Sequence, residues 1–324
     1  MSAKPKKLMV RVKEMMETRH YAVSTQKTYR YWILDYIRYH GTQHPATLGK
    51  PEVEAFLTHL ACNRNLSASS QNQAFNAVLF LYRHVLDIEL GSEINASRAR
   101  TRERVPVVLT AKEGKVVLSQ MTGVTGLMAG LLYGAGLRVN ECLSLRVTHL
   151  DFEANRIFVV DGKGKKDRFT IMPARLKQKL DDHLRRVKRV HDQDLADGWG
   201  SVVMPYALGR KLKADSKKFM WQYVFPAKTL FRNKETGERG RWHVLPDILR
   251  KAVREATSVA GVRKRVSPHT FRHSFATRLL EQGYNIRTVQ ELLGHKNVKT
   301  TMIYTHVMDK SEFDVVSPID CWGD

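Results

Sequence analysis

Residues 156–173 read RIFVVDGKGKKDRFTIMP, two apolar runs around a centre of glycine and lysine. The runs, rich in β-branched and aromatic residues, predict short strands, and Asp161 to Lys166 predicts the tight turn between them. On both sides apolar residues recur at helical spacing instead. One hairpin among helices predicts a mainly α chain with a small antiparallel β-sheet, an α+β fold. It argues against the strand and helix alternation of a doubly wound nucleotide-binding sheet. A G-x-x-x-x-G-K-[ST] loop is also missing, so ATP use is not indicated.

Upstream, Tyr29, Trp32, Ile33, Tyr36 and Ile37 in STQKTYRYWILDYIRYHG (24–41) make an amphipathic stripe, and Gly41 is placed to end that helix. PEVEAFLTHLA (51–61) and SSQNQAFNAVLFLYRHVL (69–86) predict further helices, the second with Ala74, Ala77, Val78, Leu81, Tyr82 and Val85 on one face. Residues 1–95 are therefore expected to be a helical domain. Its Lys27 and Arg30 fit a DNA-facing surface and a solvated helix face equally well. ASRARTRERVPVV (96–108) is strongly basic and holds Pro106, as suits an extended linker, placed at 96–109. Thr110 and Glu113 then have capping-box spacing, opening a second domain over 110–324.

Lys plus Arg number 54 against 32 for Asp plus Glu, a formal charge of +22. That excess points to a polyanionic partner. No apolar run reaches the roughly 18 residues of a spanning helix, and no lipidation motif is visible, so DNA is expected and a membrane is not. The N-terminus lacks the apolar core of a secretory signal, and the expected location is cytoplasmic. Cys62, Cys142 and Cys321 have no C-x-x-C spacing, which indicates neither a disulfide framework nor a zinc site.

The chemistry is densest in VSPHTFRHSFATRLLEQG (266–283), where Ser267 suits an N-cap, Pro268 the first helical position and Gly283 the residue beyond the helix. His269 and Arg272 then share a face of the first turn, where free N–H groups favour an anion. His269 and His273 also have i,i+4 metal spacing, but the glutamate of H-E-x-x-H is missing; no metal is expected. Arg138 follows Gly134 and Gly136, and Lys163 sits in the hairpin turn. With His295 and Tyr304 these residues meet the needs of transesterification at a DNA phosphodiester. Tyr304 is the nucleophile, Arg138 and Arg272 clamp the five-coordinate phosphorus, and Lys163 protonates the leaving oxygen. His269 and His295 either donate to the phosphate or take the tyrosine proton, and the sequence leaves that division open.

GLRVNE (136–141), GKGKKDR (162–168), SPHTFRHSFAT (267–277) and LLGHKNVKTTMIYTHV (292–307) resemble, in order, the boxes of the tyrosine recombinase, or phage integrase, family. The resemblance implies a helical core-binding, SAM-like domain plus a tyrosine-recombinase catalytic domain, closing as a clamp around DNA. It implies a 3′-phosphotyrosyl intermediate with a free 5′-hydroxyl and no cofactor. It also implies a homotetrameric synapse held by exchange of the tail at about 308–324.

Lys163 and His269 are 106 residues apart, and the extra segment at about 192–246 is similar to the added element of integron integrases, notably in MPYALGRK (204–211) and WQYVFPA (221–227). In that branch the element is associated with bases protruding from a folded single-stranded cassette site, which is recombined with a duplex site to integrate or excise gene cassettes. Trp199, Trp221 and Trp242, with Pro205 and His243, suit base stacking, while a small core beneath the insertion is the alternative use of the tryptophans. A duplex-only phage-type recombinase, a type IB topoisomerase and a noncatalytic DNA-binding protein are the rival functions.

Overall fold

The computed structural model describes residues 6–91, 105–160, 167–204, 213–232, 237 and 239–305. The chain divides into two compact units, Met1–Arg104 and Val105–Asp324.

The first unit is helical: α1 (Leu8–Thr18), α2 (Val23–Tyr39), α3 (Lys50–Cys62) and α4 (Ala68–Phe80), the last continued by one π-helical turn, Leu81–Leu86. The expected stripe on α2 buries Trp32, Ile33 and Tyr36, with Tyr29 and Ile37 half-buried at its margins. The chain leaves that helix through Gly41 at φ +62°. Ala74, Ala77 and Val78 of α4 and Leu81, Tyr82 and Val85 of the added turn fill the same core. Burying a side chain the size of valine or leucine contributes about 1.5–3 kcal/mol. The two buried phenols satisfy each other, Tyr36 Oη lying 2.8 Å from Tyr82 Oη, which also reaches the Pro45 carbonyl at 2.9 Å.

The second unit opens as its capping box requires: Thr110 and Glu113 exchange hydrogen bonds of 2.7 and 3.1 Å at the start of α5 (Ala111–Ser119). α6 (Gly123–Ala135) is the central helix, with Leu127, Met128, Leu131, Leu132 and Ala135 buried. Gly134 gives Pro173 the room to pack on it that a Cβ would occupy. After α7 (Val139–Leu143) come β1 (Leu150–Asp151), β2 (Arg156–Val159) and β3 (Arg168–Ile171), an antiparallel sheet in that order, pairing Leu150 with Ile157 and Ile157 with Thr170. The expected hairpin is thus joined by a third, two-residue strand; its turn, residues 161–166, lies outside the described residues. Ile157 and Val159 point into the core, as a period of two dictates.

α8 (Ala174–Ala196) leads to a second antiparallel pair, β4 (Pro226–Arg232) and β5 (Arg239–His243), within the stretch identified as an insertion. The unit closes with α9 (Pro246–Val259), α10 (Pro268–Glu281), α11 (Ile286–Leu293) and α12 (Lys299–Met302). The chain is mainly helical with small antiparallel sheets, the expected class. No helix among the described residues is long and apolar enough to cross a membrane.

Candidate active site

The site begins where α6 stops. Gly136 takes the left-handed conformation, φ +64°, and a Cβ there would strike Phe275. Two residues on, Arg138 caps α7, and Glu141 in the first turn accepts the Arg138 backbone N–H at 2.9 Å. The same carboxylate accepts from the Arg138 guanidinium at 2.6 Å and from both terminal nitrogens of Arg168 at 3.0 and 2.7 Å. Arg272 Nη1 stands 3.8 Å from it. Arg168, at the start of β3, also donates to the Leu292 carbonyl at 2.8 Å, which ties the sheet to the end of α11.

α10 starts at Ser267 and Pro268 as expected, with the Ser267 N–H donating to Thr270 Oγ1 at 3.0 Å. Its Arg272 is 4% exposed. The guanidinium donates to the Gly136 carbonyl and, at 2.6 Å, to the Leu293 carbonyl, and Nη2 lies 3.2 Å from His295 Nε2. A guanidinium has no lone pair to offer, so His295 Nε2 is the acceptor. Its proton therefore sits on Nδ1, 3.0 Å from Thr301 Oγ1. His295 reaches this place because α11 ends at Gly294, φ +64°, where a side chain would collide with Arg168. Tyr304 follows α12, its ring packed with Phe275, Leu280, Val289 and Leu293 and 1% exposed. Its Oη is 3.1 Å from His273 Nδ1.

Arg138, His269, Arg272, His273, His295 and Tyr304 all line one cleft of about 470 Å³. Five of the six residues expected to carry the chemistry are therefore brought together, while Lys163 lies outside the described residues. No carboxylate lines the cleft itself among the described residues. Behind it, Glu141 faces three guanidiniums. Burial raises the Glu141 pKa, but the hydrogen bonds and charge of Arg168 and Arg138 outweigh this and hold it down to about 2. Burial and the neighbouring Arg138 push Arg272 down to about 9. Burial, then Arg272, Arg138 and Arg168, push His295 down to about 3, which agrees with the neutral ring its partners require. Burial raises the Tyr304 phenol, against the pull of Arg272 and Arg138. The cleft is a desolvated, positively charged recess holding a phenol, an arrangement suited to an anion.

Glu141 and Arg168 were not singled out in the sequence, and His273 only as a metal-spaced partner of His269, although each falls within a quoted box. Glu141→Ala is expected to lower stability by about 3–5 kcal/mol, because it leaves buried guanidiniums unpaired. The folded pKa of about 2 lies below the ordinary 4.5, so the carboxylate's contribution is present above pH 4.5 and is lost as pH falls through 2. Chemical denaturation across that range should show a steeper acid decline in the native chain than in the variant; equal declines would remove Glu141 from this role.

The insertion residues form a separate group. Tyr223 is its centre: Trp242 and His243 lie 5.6 and 5.3 Å from its ring, and the Arg146 guanidinium lies 4.7 Å above it. Arg146, 7% exposed, also donates to the carbonyls of Trp221 and Val203 at 2.6 and 2.7 Å, anchoring the insertion to the segment after α7. Trp221 packs with Val202, Met204 and Tyr223, the small core foreseen as its alternative use. Trp242 is 39% exposed, with its indole available for contact. Trp199 stands apart beneath the Arg239 guanidinium, 5.5 Å from its ring, and Pro205 lies outside the described residues. In the first unit, Lys27 and Arg30 are exposed and border a recess with Lys13.

Comparison with known proteins gives this geometry its context. Residues 108–311 match the phage integrase family, and residues 8–92 match the phage integrase N-terminal SAM-like domain. An integrase/recombinase from Escherichia coli is 42% identical over 314 residues, covering 97% of this chain and 93% of the relative. A tyrosine recombinase from Pseudothermotoga lettingae is 31% identical over 88% of this chain and 83% of its own. Among solved structures, the XerH site-specific recombinase bound to palindromic difH aligns with a TM-score of 0.61 at 20% identity, over 95% of this chain and 83% of that one. A lambda integrase dimer bound to a COC′ core site aligns with a TM-score of 0.60 at 15% identity, over 92% and 93% of the two chains. These two share the fold. On the family match and the relatives at 31% and 42% identity, the chain belongs to the phage integrase family and is a tyrosine recombinase.

Proposed function

We propose that this recombinase cuts DNA with Tyr304 and joins it to new partners, and that it is an integron integrase acting on folded single-stranded cassette sites as well as duplex sites. The observation that carries the catalytic reading is the convergence of Arg138, Arg272 and Tyr304 on one cleft whose described lining has no carboxylate. In that reading the arginines hold the scissile phosphate, Tyr304 attacks it to give a 3′-phosphotyrosyl linkage, and Lys163 protonates the departing 5′-oxygen. His269, exposed in the first turn of α10, donates to the phosphate. The first unit serves as the core-binding domain with Lys27 and Arg30 on DNA, the tail at about 308–324 links protomers in a tetrameric synapse, and the enzyme works in the bacterial cytoplasm.

The integron reading is supported by Trp242, an exposed indole held against Tyr223 and His243 on a strand of the insertion. A protruding base stacks on such a ring; a regular duplex has none to offer. Trp242→Ala with His243→Ala is expected to weaken recombination of folded single-stranded sites by about 1–3 kcal/mol per stacked base, roughly 5- to 150-fold, and to leave duplex binding nearly unchanged. Strand-exchange and binding assays at one salt concentration test this, since the charge of +22 makes nonspecific binding salt-sensitive. Trp221 favours the second reading, a duplex-only phage-type recombinase, because it is engaged in a small core. Equal losses on both substrates, or none on either, would select that second reading.

A further inference from the structure

Three imidazoles line the cleft, and they are not equivalent. His295 has both nitrogens engaged, Nε2 by the Arg272 guanidinium and Nδ1 by Thr301. His269 stands in the first turn of α10, and among the described residues no hydrogen bond joins it to Tyr304. His273, one turn further along the same helix, places Nδ1 3.1 Å from the Tyr304 oxygen, with ring centroids 5.6 Å apart. Accepting Tyr304 as the nucleophile, as argued above, we propose that His273 is the catalytic proton acceptor for that hydroxyl, in place of His269 or His295.

The step balances. As the Tyr304 Oη–P bond forms, the phenolic proton passes to His273 Nδ1; as the P–O5′ bond breaks, the leaving oxygen takes a proton from the general acid. Resealing runs in reverse, with the imidazolium of His273 returning the proton to the departing phenol. The groups facing His273 are His269 and Arg272 on its own helix, Arg138 before α7, His295 and Lys296 after α11, and Tyr304. Burial first, then His269 and Arg272, push His273 down to about 4, so the ring is neutral near pH 7 with its lone pair available. A phosphate in the cleft opposes those cations. The five-coordinate transition state adds further negative charge beside the ring, so the imidazole becomes a stronger base as the proton moves.

The test is single-turnover cleavage of a nicked duplex core site from about pH 5 to about pH 9, with His273→Gln compared against His269→Gln. Glutamine keeps a hydrogen-bond acceptor but cannot hold a proton. His273→Gln is expected to cleave about 10²- to 10⁴-fold more slowly at neutral pH and to gain about tenfold per pH unit as hydroxide replaces the imidazole. His269→Gln should be slower than native with the native profile shape. A native rate and profile in His273→Gln, or the sloping profile in His269→Gln instead, overturns the assignment. Fluorinated tyrosine at position 304 lessens the need for a base: its more acidic phenol should narrow the gap between the native chain and His273→Gln at neutral pH, and an unchanged gap also overturns the assignment. Covalent adduct formation by Tyr304→Phe separates the failures. A persistent adduct removes the nucleophile and this inference together, whereas its loss alongside an unaffected His273→Gln removes this inference alone.

Discussion

Tyr304→Phe is expected to bind duplex DNA within about twofold of the native enzyme and to form no covalent adduct. The change removes one atom, the oxygen proposed to attack. The ring that remains is the one buried among Phe275, Leu280, Val289 and Leu293, so the packing that holds α11 against α10 is retained. What is lost structurally is one hydrogen bond, to half-buried His273, a change of about 0.5–1.5 kcal/mol. In the proposed mechanism the phosphate contacts belong to the arginines, which separates affinity from chemistry. Denaturing electrophoresis of labelled DNA reads the adduct directly. A protein-linked band persisting in the variant would mean that another side chain attacks, and a loss of binding would mean that the ring orders the cleft.

How much of this was legible in the sequence differs from residue to residue, for physical reasons. Both ends of α10 were legible, because Ser267 with Pro268, and Gly283 beyond the helix, are local signals whose conformation the neighbouring residues fix. The helical first unit was legible from period alone, since its stripes at Trp32 to Tyr36 and Ala74 to Val85 face a single core. The role of Glu141 was not. It meets Arg138 three residues away, but Arg168 and Arg272 come to it from a strand and a helix far along the chain, and no local pattern encodes such a meeting. The same holds for His273, whose i,i+4 relation to His269 invited a metal reading while its actual partner is Tyr304, 31 residues on. The β4–β5 pair escaped notice because Thr229, Leu230 and Arg232 are all exposed on β4, and a strand wet on both faces has no apolar alternation to read. Arg146 is buried and anchors the insertion through backbone carbonyls, which carry no sequence signature.

Arg272→Lys should lower the single-turnover cleavage rate by about 10²- to 10³-fold while changing duplex affinity much less. The reason lies in what the guanidinium does besides carrying charge. Its planar fork spans the carbonyls of Gly136, at the end of α6, and Leu293, at the end of α11, and meets His295 Nε2. The ends of α6 and α11 are thereby held in register with α10 around the cleft. An ammonium is a single point on a flexible stem and cannot satisfy both carbonyls while facing the phosphate. One acceptor in the variant is left buried without a donor, at about 1–3 kcal/mol, so a lowered Tm should accompany the slower reaction. His295 provides an internal check: without the guanidinium donating to Nε2 that lone pair is released, and although burial and the charges of Arg138, Arg168 and the new lysine still oppose protonation, the ring's pKa should rise from about 3. Histidine NMR titration of native and variant chains reads that shift. Native cleavage with an unmoved His295 would show that charge alone suffices at this position, and that the two-point geometry of the clamp is incidental to the reaction.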